Sequence, residues 1–365
     1  MRITILGAGN GAVAAAAHMT LLGHAVTMTN RKASSLAALM EDGHIDIKGD
    51  ALVNQRVCIH KVETDICQAI RDAEVIMVCV PSIGHEFYAA AVAPVLSEKQ
   101  LVMLNPGHMG GALQFAGYLR KNGYTQKLNL CETNTLTYVT RLVDAHTIGI
   151  HNIVGKAYLA SIPANNKDVE KIMKMYPSLE RVPNVLYTAM ADLNAVMHPP
   201  AMLLNAALIE RTGGDFTIYN EGTSPAVATL IRALDEERLQ VASALGIHID
   251  SFLDMFYNWG FTTKEAFDQD SIYLALKQSK PNKDIKSPST LQDRYISEDV
   301  GNGLVPMSLI GDIVGVPTPI MDSFIELCSR INGINYMAEG LTLEKLGISG
   351  AKNAEGLKQI IADIE

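Results

Sequence analysis

One histidine in the second half of the chain is spaced to carry out proton chemistry together with a nearby amide. Within the predicted helical segment Asp192–Pro200, Asn194 and His198 stand four residues apart and therefore lie on one helical face, where both can point at one site. An imidazole can donate a proton near neutral pH to a developing alkoxide or amine, which reduction of a carbonyl or imine requires. A histidine that only caps or packs ahead of Pro199 and Pro200 is the alternative.

A second group of polar residues follows further along the chain. The run Gln292–Val300 contains Arg294 and Asp299. An arginine offers a fork of N–H donors to a carboxylate, and an aspartate can orient a histidine and stabilise its cation. Charged runs are usually solvated surfaces, and by itself this one decides nothing.

A glycine-rich turn near the N-terminus predicts where a dinucleotide would bind. Gly7, Gly9 and Ala12 occupy the small-residue positions of the dinucleotide fingerprint, and Gly11, next to Asn10, adds backbone freedom. In that fingerprint the first glycine makes a tight turn, the second admits the pyrophosphate, and the last small residue lets helix and strand pack closely. The following helix offers free N–H groups and the positive end of its dipole. An unrelated strand–turn–helix with chance glycines is the alternative.

The end of the second predicted strand bears on the choice of nicotinamide cofactor. An acidic residue at this place bonds the ribose hydroxyls of NAD, whereas an arginine accepts the extra phosphate of NADP. The segment Thr29–Lys32 holds Asn30 and Arg31 and no carboxylate. The sequence therefore favours NADP(H), with NAD(H) as the second choice. Arg31 and Lys32 as plain solvated residues of the next helix are the other interpretation.

Composition and charge argue against several other classes of protein. The formal net charge of −9 argues against a nucleic-acid partner, which needs clustered lysine and arginine. No apolar run is long enough for a membrane span, and the N-terminus lacks the layout of a signal peptide. The five cysteines include no CxxC pair, and the other histidines lack ligand spacing. We therefore expect reduced thiols in a cytoplasmic protein, and no metal site.

The order of predicted elements indicates two domains, since 365 residues exceed what one hydrophobic core usually supports. In the first half, apolar strands alternate with helices, which is the pattern of βαβ units and a parallel sheet buried on both faces. Later, strand signals nearly vanish, and long helices such as Ala189–Arg211 and Pro225–Leu245 are predicted. We therefore predict a Rossmann-type, doubly wound α/β domain over residues 1–185 and an all-α domain over residues 186–365.

Taken together, these motifs resemble the opine dehydrogenase family, also called the octopine/nopaline dehydrogenase family. The likeness covers nearly the whole chain. The segments that carry it are Gly7–Gly11, Val80-Pro81-Ser82, Asn105-Pro106-Gly107, Glu132–Thr135, Asn194–Pro200, Glu221–Pro225, Arg294-Tyr295 and Asp299. The combination of the motif Asn194–Pro200 with Arg294-Tyr295 and Asp299 is fairly specific for this family, whereas the glycine turn alone is not.

The resemblance implies a Rossmann domain joined to an all-helical domain. It also implies reductive coupling of the amino group of an amino acid to a 2-oxo acid such as pyruvate with NAD(P)H. By matching motif, His198 would be the general acid/base, with Asp299 as its partner. Arg294 would bind a substrate carboxylate, and Asn194 would line the same pocket.

The resemblance bears on the cofactor as well. Val80, Pro81 and Ser82, at the end of a predicted strand, would help to bind it. Several relatives carry an acid near the position of Arg31 and prefer NADH. The expectation of NADP(H) therefore depends on the local chemistry of Asn30 and Arg31.

Two other functions stay open. A 2-oxo acid or ketone reductase of the ketopantoate-reductase or glycerol-3-phosphate-dehydrogenase type has the same architecture. Those relatives use a lysine on the corresponding helix, and no lysine occurs between Lys174 and Lys264. A protein that senses NADP(H) without turnover would not need His198, Arg294 and Asp299 together.

Self-association is expected through the helical half. This half is rich in methionine and alanine, and a single domain would bury stretches such as Ala201–Leu208 only if well packed. Related two-domain dehydrogenases often pair through this half. The expected partners are therefore the small-molecule substrates and a second copy of the chain in a homodimer.

Overall fold

Residues 1–364 are described by a computed structural model, in which the chain divides into two units, Met1–Thr188 and Ala189–Asp363. All named strands belong to the first unit. They are β1 (Arg2–Leu6), β2 (Ala25–Thr29), β3 (His44–Lys48), β4 (Arg56–Cys58), β5 (Lys61–Val62), β6 (Val75–Val78), β7 (Leu101–Leu104), β8 (Leu130–Thr133), β9 (Tyr138–Leu142), β10 (Thr147–Ile153), β11 (Tyr158–Ile162) and β12 (Glu180–Arg181).

The first six helices lie between these strands, and the seventh follows the last strand and crosses the boundary between the units. They are α1 (Asn10–Leu21), α2 (Ala37–Asp42), α3 (Ile66–Ile70), α4 (His85–Val92), α5 (Gly111–Lys121), α6 (Val169–Met175) and α7 (Val185–Met190), with 3-10 turns at Ala33–Leu36 and Ser82–Gly84.

Eight strands form the main sheet, in the order β12-β11-β8-β7-β6-β1-β2-β5. All neighbours are parallel except β8 and β11. Every residue of β6 and β7 is buried, as expected for parallel strands covered on both faces. The predicted doubly wound α/β fold is confirmed. The strand order reverses between β1 and β6, and ligands of open α/β sheets bind at such a switch point, at the carboxyl ends of the strands.

A second sheet of four strands, in the order β4-β3-β10-β9, is absent from the sequence prediction. Its strand β3 pairs in parallel with β10, through partners such as Ile47 and Ile148. In the chain, β3 and β10 are separated by four strands of the main sheet, so no local pattern reports their pairing.

The helices that follow the boundary are α8 (Asn194–Leu203), α9 (Ala206–Thr212), α10 (Pro225–Ala244), α11 (Phe252–Asn258), α12 (Lys264–Asp268), α13 (Ile272–Lys277), α14 (Arg294–Ser297), α15 (Val305–Val314), α16 (Pro319–Asn332), α17 (Tyr336–Glu339) and α18 (Ala354–Ile364), with a 3-10 turn at Lys280–Asn282 and a π-helical turn at Val300–Leu304.

The predicted helical character of this half is confirmed, although one predicted helix is wrong. Pro225–Leu245 corresponds to α10, which begins after Ser224, whose Oγ accepts the N–H of Val227, and which has proline in its first turn, where no N–H is needed. The single helix predicted over Ala189–Arg211 is instead divided among α7, α8 and α9. Apolar periodicity continued through the breaks and hid them.

An arginine forms the polar centre of the helical unit. Arg238 on α10 is fully buried and its Nη2 donates to the Asp235 carboxylate at 2.6 Å. It also donates to the carbonyl oxygens of Met190 and Asp250 at 2.7 and 2.9 Å. These bonds tie α10 to the start of the unit and to the segment before α11.

Candidate active site

His198 lies in the middle of α8 and is only 3% exposed. Pro199 and Pro200 follow it inside the same helix. Because proline has no N–H, two carbonyls of the preceding turn lose their usual helical donors. Residues around His198 are therefore held by packing as much as by the helix itself.

The structure brings Asp299 to His198. The Nδ1 atom of His198 lies 2.6 Å from an Asp299 carboxylate oxygen, and both side chains are 4% exposed. Since an ionised carboxylate can only accept hydrogen bonds, Nδ1 carries the proton and Nε2 is left as the working nitrogen. Burial raises the pKa of Asp299, although the neighbouring His198 opposes that shift.

A glycine explains how the Asp299 segment comes so close to α8. Asp299 immediately precedes the π-helical turn Val300–Leu304. A Cβ atom on Gly303 in this turn would lie 2.6 Å from the Cβ of Ala195 on α8. Any larger residue would push the turn away from the helix that carries His198.

Two tyrosines complete the surroundings of His198. The Nε2 atom lies 2.7 Å from the hydroxyl of Tyr219, and the ring of Tyr295 stacks on the imidazole with centroids 3.7 Å apart. The two tyrosine hydroxyls are 3.4 Å apart. Burial raises the pKa of Tyr219 well above its ordinary value, so its hydroxyl keeps its proton.

Sequence reasoning assigned no role to Tyr219. It lies in a tight turn, where a Cβ on Gly222 would come within 2.5 Å of the Ile218 carbonyl oxygen. The Thr223 hydroxyl donates to the Tyr219 carbonyl at 2.7 Å. The segment Glu221–Pro225 that carried part of the family resemblance therefore adjoins this turn, and its glycine was the available signal.

Arg294 and Asn194 each begin a helix that carries a residue of the His198 surroundings. Arg294 begins α14; its side chain is 53% exposed and pairs with Glu298 at 3.5 Å. Its guanidinium carbon also lies 5.4 Å from the centre of the Tyr295 ring. Asn194 is the first residue of α8 and half-buried, four residues before His198. An exposed guanidinium beside a stacked tyrosine can take up a carboxylate.

The glycine turn has the geometry that a dinucleotide needs. Gly7 has φ of +132°, and a Cβ there would lie 2.6 Å from the Cys79 carbonyl oxygen and 3.2 Å from the Cβ of Ala12. A Cβ on Gly9 would meet nothing within 4 Å. Helix α1 starts beside Gly9 without a side-chain cap. Open space in front of an uncapped helix N-terminus suits a pyrophosphate.

The other two turn residues have structural contacts. The Oδ1 atom of Asn10 accepts the N–H of Leu142 at 2.8 Å. A Cβ on Gly11 would lie 2.7 Å from a methyl carbon of Leu136. Their side-chain positions thus face the protein, and what they offer a ligand is backbone.

The segment Val80-Pro81-Ser82 follows β6, across the switch point from the glycine turn. A Cβ on Gly7 would lie 3.1 Å from a methyl carbon of Val80, so the two segments touch. Pro81 is exposed, and Ser82 is buried at the start of a 3-10 turn.

Asn30 and Arg31 follow β2 at the same edge of the sheet. Asn30 is half-buried and hydrogen bonds to the hydroxyl of Tyr88 at 2.8 Å. Arg31 is exposed, and within residues 1–364 its guanidinium forms no ion pair. The N–H of Gly7 donates to the Thr29 carbonyl at 2.9 Å, which holds this strand end beside the glycine turn.

One group of histidines has a spacing that the sequence does not show. Asp42, His44 and His146 place one potential ligand atom each within 4.8 Å of one another. The two imidazoles are stacked, with centroids 4.1 Å apart and planes at 6°, and His44 Nδ1 lies 2.5 Å from Asp42. The group is a stacked pair of imidazoles, one of which is paired with the exposed carboxylate of Asp42.

No helix within residues 1–364 is both long and apolar enough to cross a membrane.

Comparison with known proteins decides the family. A family model for the alpha-helical domain of NAD/NADP octopine/nopaline dehydrogenase matches residues 181–332, and a model for ketopantoate reductase PanE/ApbA matches residues 3–128. The opine dehydrogenase of Arthrobacter sp. (strain 1C) is 36% identical over 363 residues, which is 98% of each chain. This chain belongs to the opine dehydrogenase family. It is therefore an NAD(P)-dependent oxidoreductase of the type that acts on CH–NH groups.

More distant comparisons agree with this membership. The vitopine synthase of Allorhizobium ampelinum is 25% identical over 80% of this chain and 79% of its own. An octopine dehydrogenase structure with NADH and L-arginine matches with a TM-score of 0.78 at 17% identity, covering 100% of this chain and 98% of that one. Yersinopine dehydrogenase with NADP+ bound matches at 0.72 and 15%, covering 100% and 99%. At these identities the two structures show a shared fold, and the family predicted from the motifs is confirmed.

Proposed function

We propose that this opine dehydrogenase family member joins the amino group of an amino acid to a 2-oxo acid such as pyruvate and reduces the resulting imine with NADP(H). The observation that carries this function is the buried pair of His198 and Asp299, which leaves one imidazole nitrogen to exchange protons. Family membership supplies the reaction type, and the pair supplies the acid/base group that this reaction needs.

His198 acts first as a base and then as an acid. It takes a proton from the substrate ammonium, which frees the nitrogen lone pair to attack the carbonyl carbon of the oxo acid. The protonated imidazole then returns that proton to the carbinolamine hydroxyl, which leaves as water and yields the iminium. Asp299 stabilises the imidazolium between these two steps.

The proton enters and leaves through Nε2. Tyr219 lies on that nitrogen at 2.7 Å and retains its proton because burial raises its pKa. Its hydroxyl therefore relays the proton between His198 and the substrate nitrogen or oxygen. Tyr295, stacked on the ring, keeps the imidazole plane in place.

Arg294 binds a substrate carboxylate in this proposal, and Asn194 lines the same pocket. The Arg294 side chain is 53% exposed, and its Nη1 atom lies 3.5 Å from a carboxylate oxygen of Glu298. A planar fork that is already oriented loses little freedom on binding a carboxylate.

The cofactor is held by the first unit. Gly7, Gly9 and the N-terminus of α1 receive the pyrophosphate, with Val80 and its neighbours alongside. When bound, the reduced nicotinamide supplies the hydride that converts the iminium to a secondary amine. Arg31, exposed and without an ion pair, receives the 2′-phosphate of NADP(H) by a charge-assisted contact, which makes NADP(H) the preferred form.

The test is NADPH oxidation by the purified protein with pyruvate plus a pool of amino acids, compared with pyruvate alone. The proposal expects oxidation only when both substrates are present, and a product whose mass is the sum of the two less one oxygen. Oxidation with pyruvate alone would instead favour a plain 2-oxo acid reductase, the function suggested by the ketopantoate-reductase match over residues 3–128. Cofactor binding without any oxidation would favour a sensing protein.

A homodimer through the helical half is part of the proposal. Met202 of the stretch Ala201–Leu208 is buried, whereas Leu204 is 46% exposed. Leu327 and Ile331, one turn apart on α16, are 51% and 42% exposed. Light scattering at micromolar concentration should give the mass of a dimer, and the mass of a monomer would contradict it.

A further inference from the structure

A buried tyrosine forms hydrogen bonds with the residues that follow β2. Tyr88 on α4 is 2% exposed. Its hydroxyl lies 2.8 Å from Oδ1 of Asn30 and 3.2 Å from the backbone nitrogen of Arg31. The Nδ2 atom of Asn30 donates to the carbonyl oxygen of Lys32 at 3.2 Å.

The chemistry of these atoms fixes the direction of every bond. A backbone N–H can only donate, so the Tyr88 oxygen accepts from Arg31. Tyr88 has one hydroxyl proton, and it must point at Asn30, where only the amide oxygen can accept it. Burial raises the pKa of Tyr88, so that proton stays on the oxygen.

The amide of Asn30 is therefore oriented, and its nitrogen is the end that remains available. One of its two N–H groups bonds to Lys32. The other has no acceptor within residues 1–364. The end of β2 thus presents a hydrogen-bond donor at the place where NAD-dependent enzymes present a carboxylate, an acceptor.

We propose that Tyr88 is a positioning residue for cofactor selectivity, because its hydroxyl holds the Asn30 amide with the N–H outward as a donor to the 2′-phosphate of NADP(H). A phosphate oxygen can only accept hydrogen bonds, whereas a ribose hydroxyl is best recognised by an acceptor. The donor therefore favours the phosphorylated ribose, next to the cation of Arg31. This inference rests on the proposed preference for NADP(H).

The experiment measures ligand binding without any turnover. Adenosine 2′,5′-bisphosphate and adenosine 5′-monophosphate differ only in the 2′-phosphate. Their dissociation constants are measured by calorimetry on the full-length protein, and their ratio reports the preference for that phosphate. Tyr88→Phe removes the hydroxyl and keeps the ring. It should reduce the ratio about tenfold, the lower end of the effect of one hydrogen bond to a charged group.

Two further variants test whether Tyr88 acts through Asn30. Asn30→Asp keeps Tyr88 as a donor but places an acceptor outward, so the ratio should fall by more than it does in Tyr88→Phe. In an Asn30→Ala background, Tyr88→Phe should change the ratio no further, since coupled residues are not additive. Tyr118→Phe is the matched control, because this tyrosine of α5 bonds to Gln114 at 3.4 Å, and the ratio should stay at the wild-type value.

Several results would overturn the inference. The first is a wild-type protein that binds the bisphosphate no more tightly than the monophosphate. The second is a ratio of dissociation constants that Tyr88→Phe leaves unchanged. The third is a Tyr88→Phe effect on that ratio that is as large in the Asn30→Ala background as in the wild type. If Tyr88→Phe does not fold, an unchanged ratio in Asn30→Asp overturns it alone. A failure of opine synthesis with the ratios as expected would count against the proposed reaction and leave this inference standing. If the protein makes an opine but Tyr88→Phe leaves the ratio unchanged, the proposed reaction stands and this inference fails.

Discussion

Replacing Asp299 by asparagine separates a catalytic His198 from a merely packed one. The substitution keeps the size and shape of the side chain while removing its charge. In the wild type the two side chains are 2.6 Å apart and 4% exposed. A structural pair would lose stability on this change, whereas a catalytic pair would lose the stabilisation of the imidazolium during turnover.

The size of that loss follows from the geometry. Two unit charges 4 Å apart interact by about 4 kcal/mol at the effective dielectric constant that suits protein sites, which corresponds to about a thousandfold in rate. The difference between a charged and a neutral hydrogen bond, about 1 kcal/mol, gives a lower bound of roughly fivefold. Burial raises the pKa of Asp299, which offsets part of this charge stabilisation, so we expect kcat to fall about a hundredfold, between these two limits.

The same variant alters the pH profile. The reaction needs Asp299 ionised, so activity is present above the pKa of Asp299 and is lost as pH falls through it. Burial raises that pKa, which moves the acidic limb of kcat to higher pH than an ordinary carboxyl would give. In Asp299→Asn the contribution of the carboxyl to this limb should disappear, because the amide does not titrate.

The assay is steady-state NADPH oxidation with both substrates, together with NADPH affinity and melting temperature. Glu237→Gln is the control: Glu237 is another buried acid of the helical unit, and it accepts the backbone N–H groups of Ile320 and Met321. It should lower the melting temperature and leave kcat within about threefold of wild type. A similar result for Asp299→Asn would refute the catalytic assignment.

Three other changes test the rest of the structure. Gly9→Ala should weaken NADPH binding at least about tenfold with an unchanged melting temperature, whereas Gly7→Ala should lower the melting temperature as well; titration and thermal unfolding distinguish them. Burial lowers the pKa of His18 from 6.5 to about 4, so as pH falls the unfolded chain protonates this histidine before the folded protein does. The free energy of unfolding should therefore fall by about 3 kcal/mol as pH falls from 6.5 to about 4. Urea unfolding of His18→Gln should not show this fall. Arg238→Met leaves Asp235 buried without its cation and should cost roughly 3–5 kcal/mol in urea unfolding; a loss below 1 kcal/mol would contradict that role.

Elements that follow from local sequence patterns could be predicted from the sequence. Strand β7, Leu101–Leu104, is a continuous apolar run, and strand β2, Ala25–Thr29, alternates apolar and polar residues, which are two local patterns typical of strands. The glycine turn was recognisable because its small residues follow the spacing of the dinucleotide fingerprint between a strand and a helix. The contact that requires glycine at position 7 comes from a distant segment, since a Cβ there would lie 2.6 Å from the Cys79 carbonyl oxygen.

Contacts between distant segments could not be predicted in this way. Asp299 was paired with His198 by family resemblance, since no spacing rule relates residues that far apart. Nothing in the sequence around Tyr88 distinguishes it from other tyrosines, and near Tyr219 the available signal was Gly222. The role of each tyrosine is identified by where the fold places its hydroxyl, which local periodicity does not encode.

The bond between Tyr219 and His198 has a direction that depends on the charge of the imidazole. While the imidazole is neutral, the carboxylate of Asp299 keeps the proton on Nδ1, so Nε2 accepts the Tyr219 hydroxyl proton. Tyr219 then has nothing to donate elsewhere. Once His198 is protonated, Nε2 becomes a donor, and the hydroxyl of Tyr219 is released to donate to the substrate or to Tyr295, 3.4 Å away. The Tyr219 hydroxyl can therefore donate to the substrate only when His198 holds the proton that the leaving hydroxyl needs. Because His198 gains that proton by deprotonating the amine, proton delivery to the leaving hydroxyl can follow only after the amine is deprotonated.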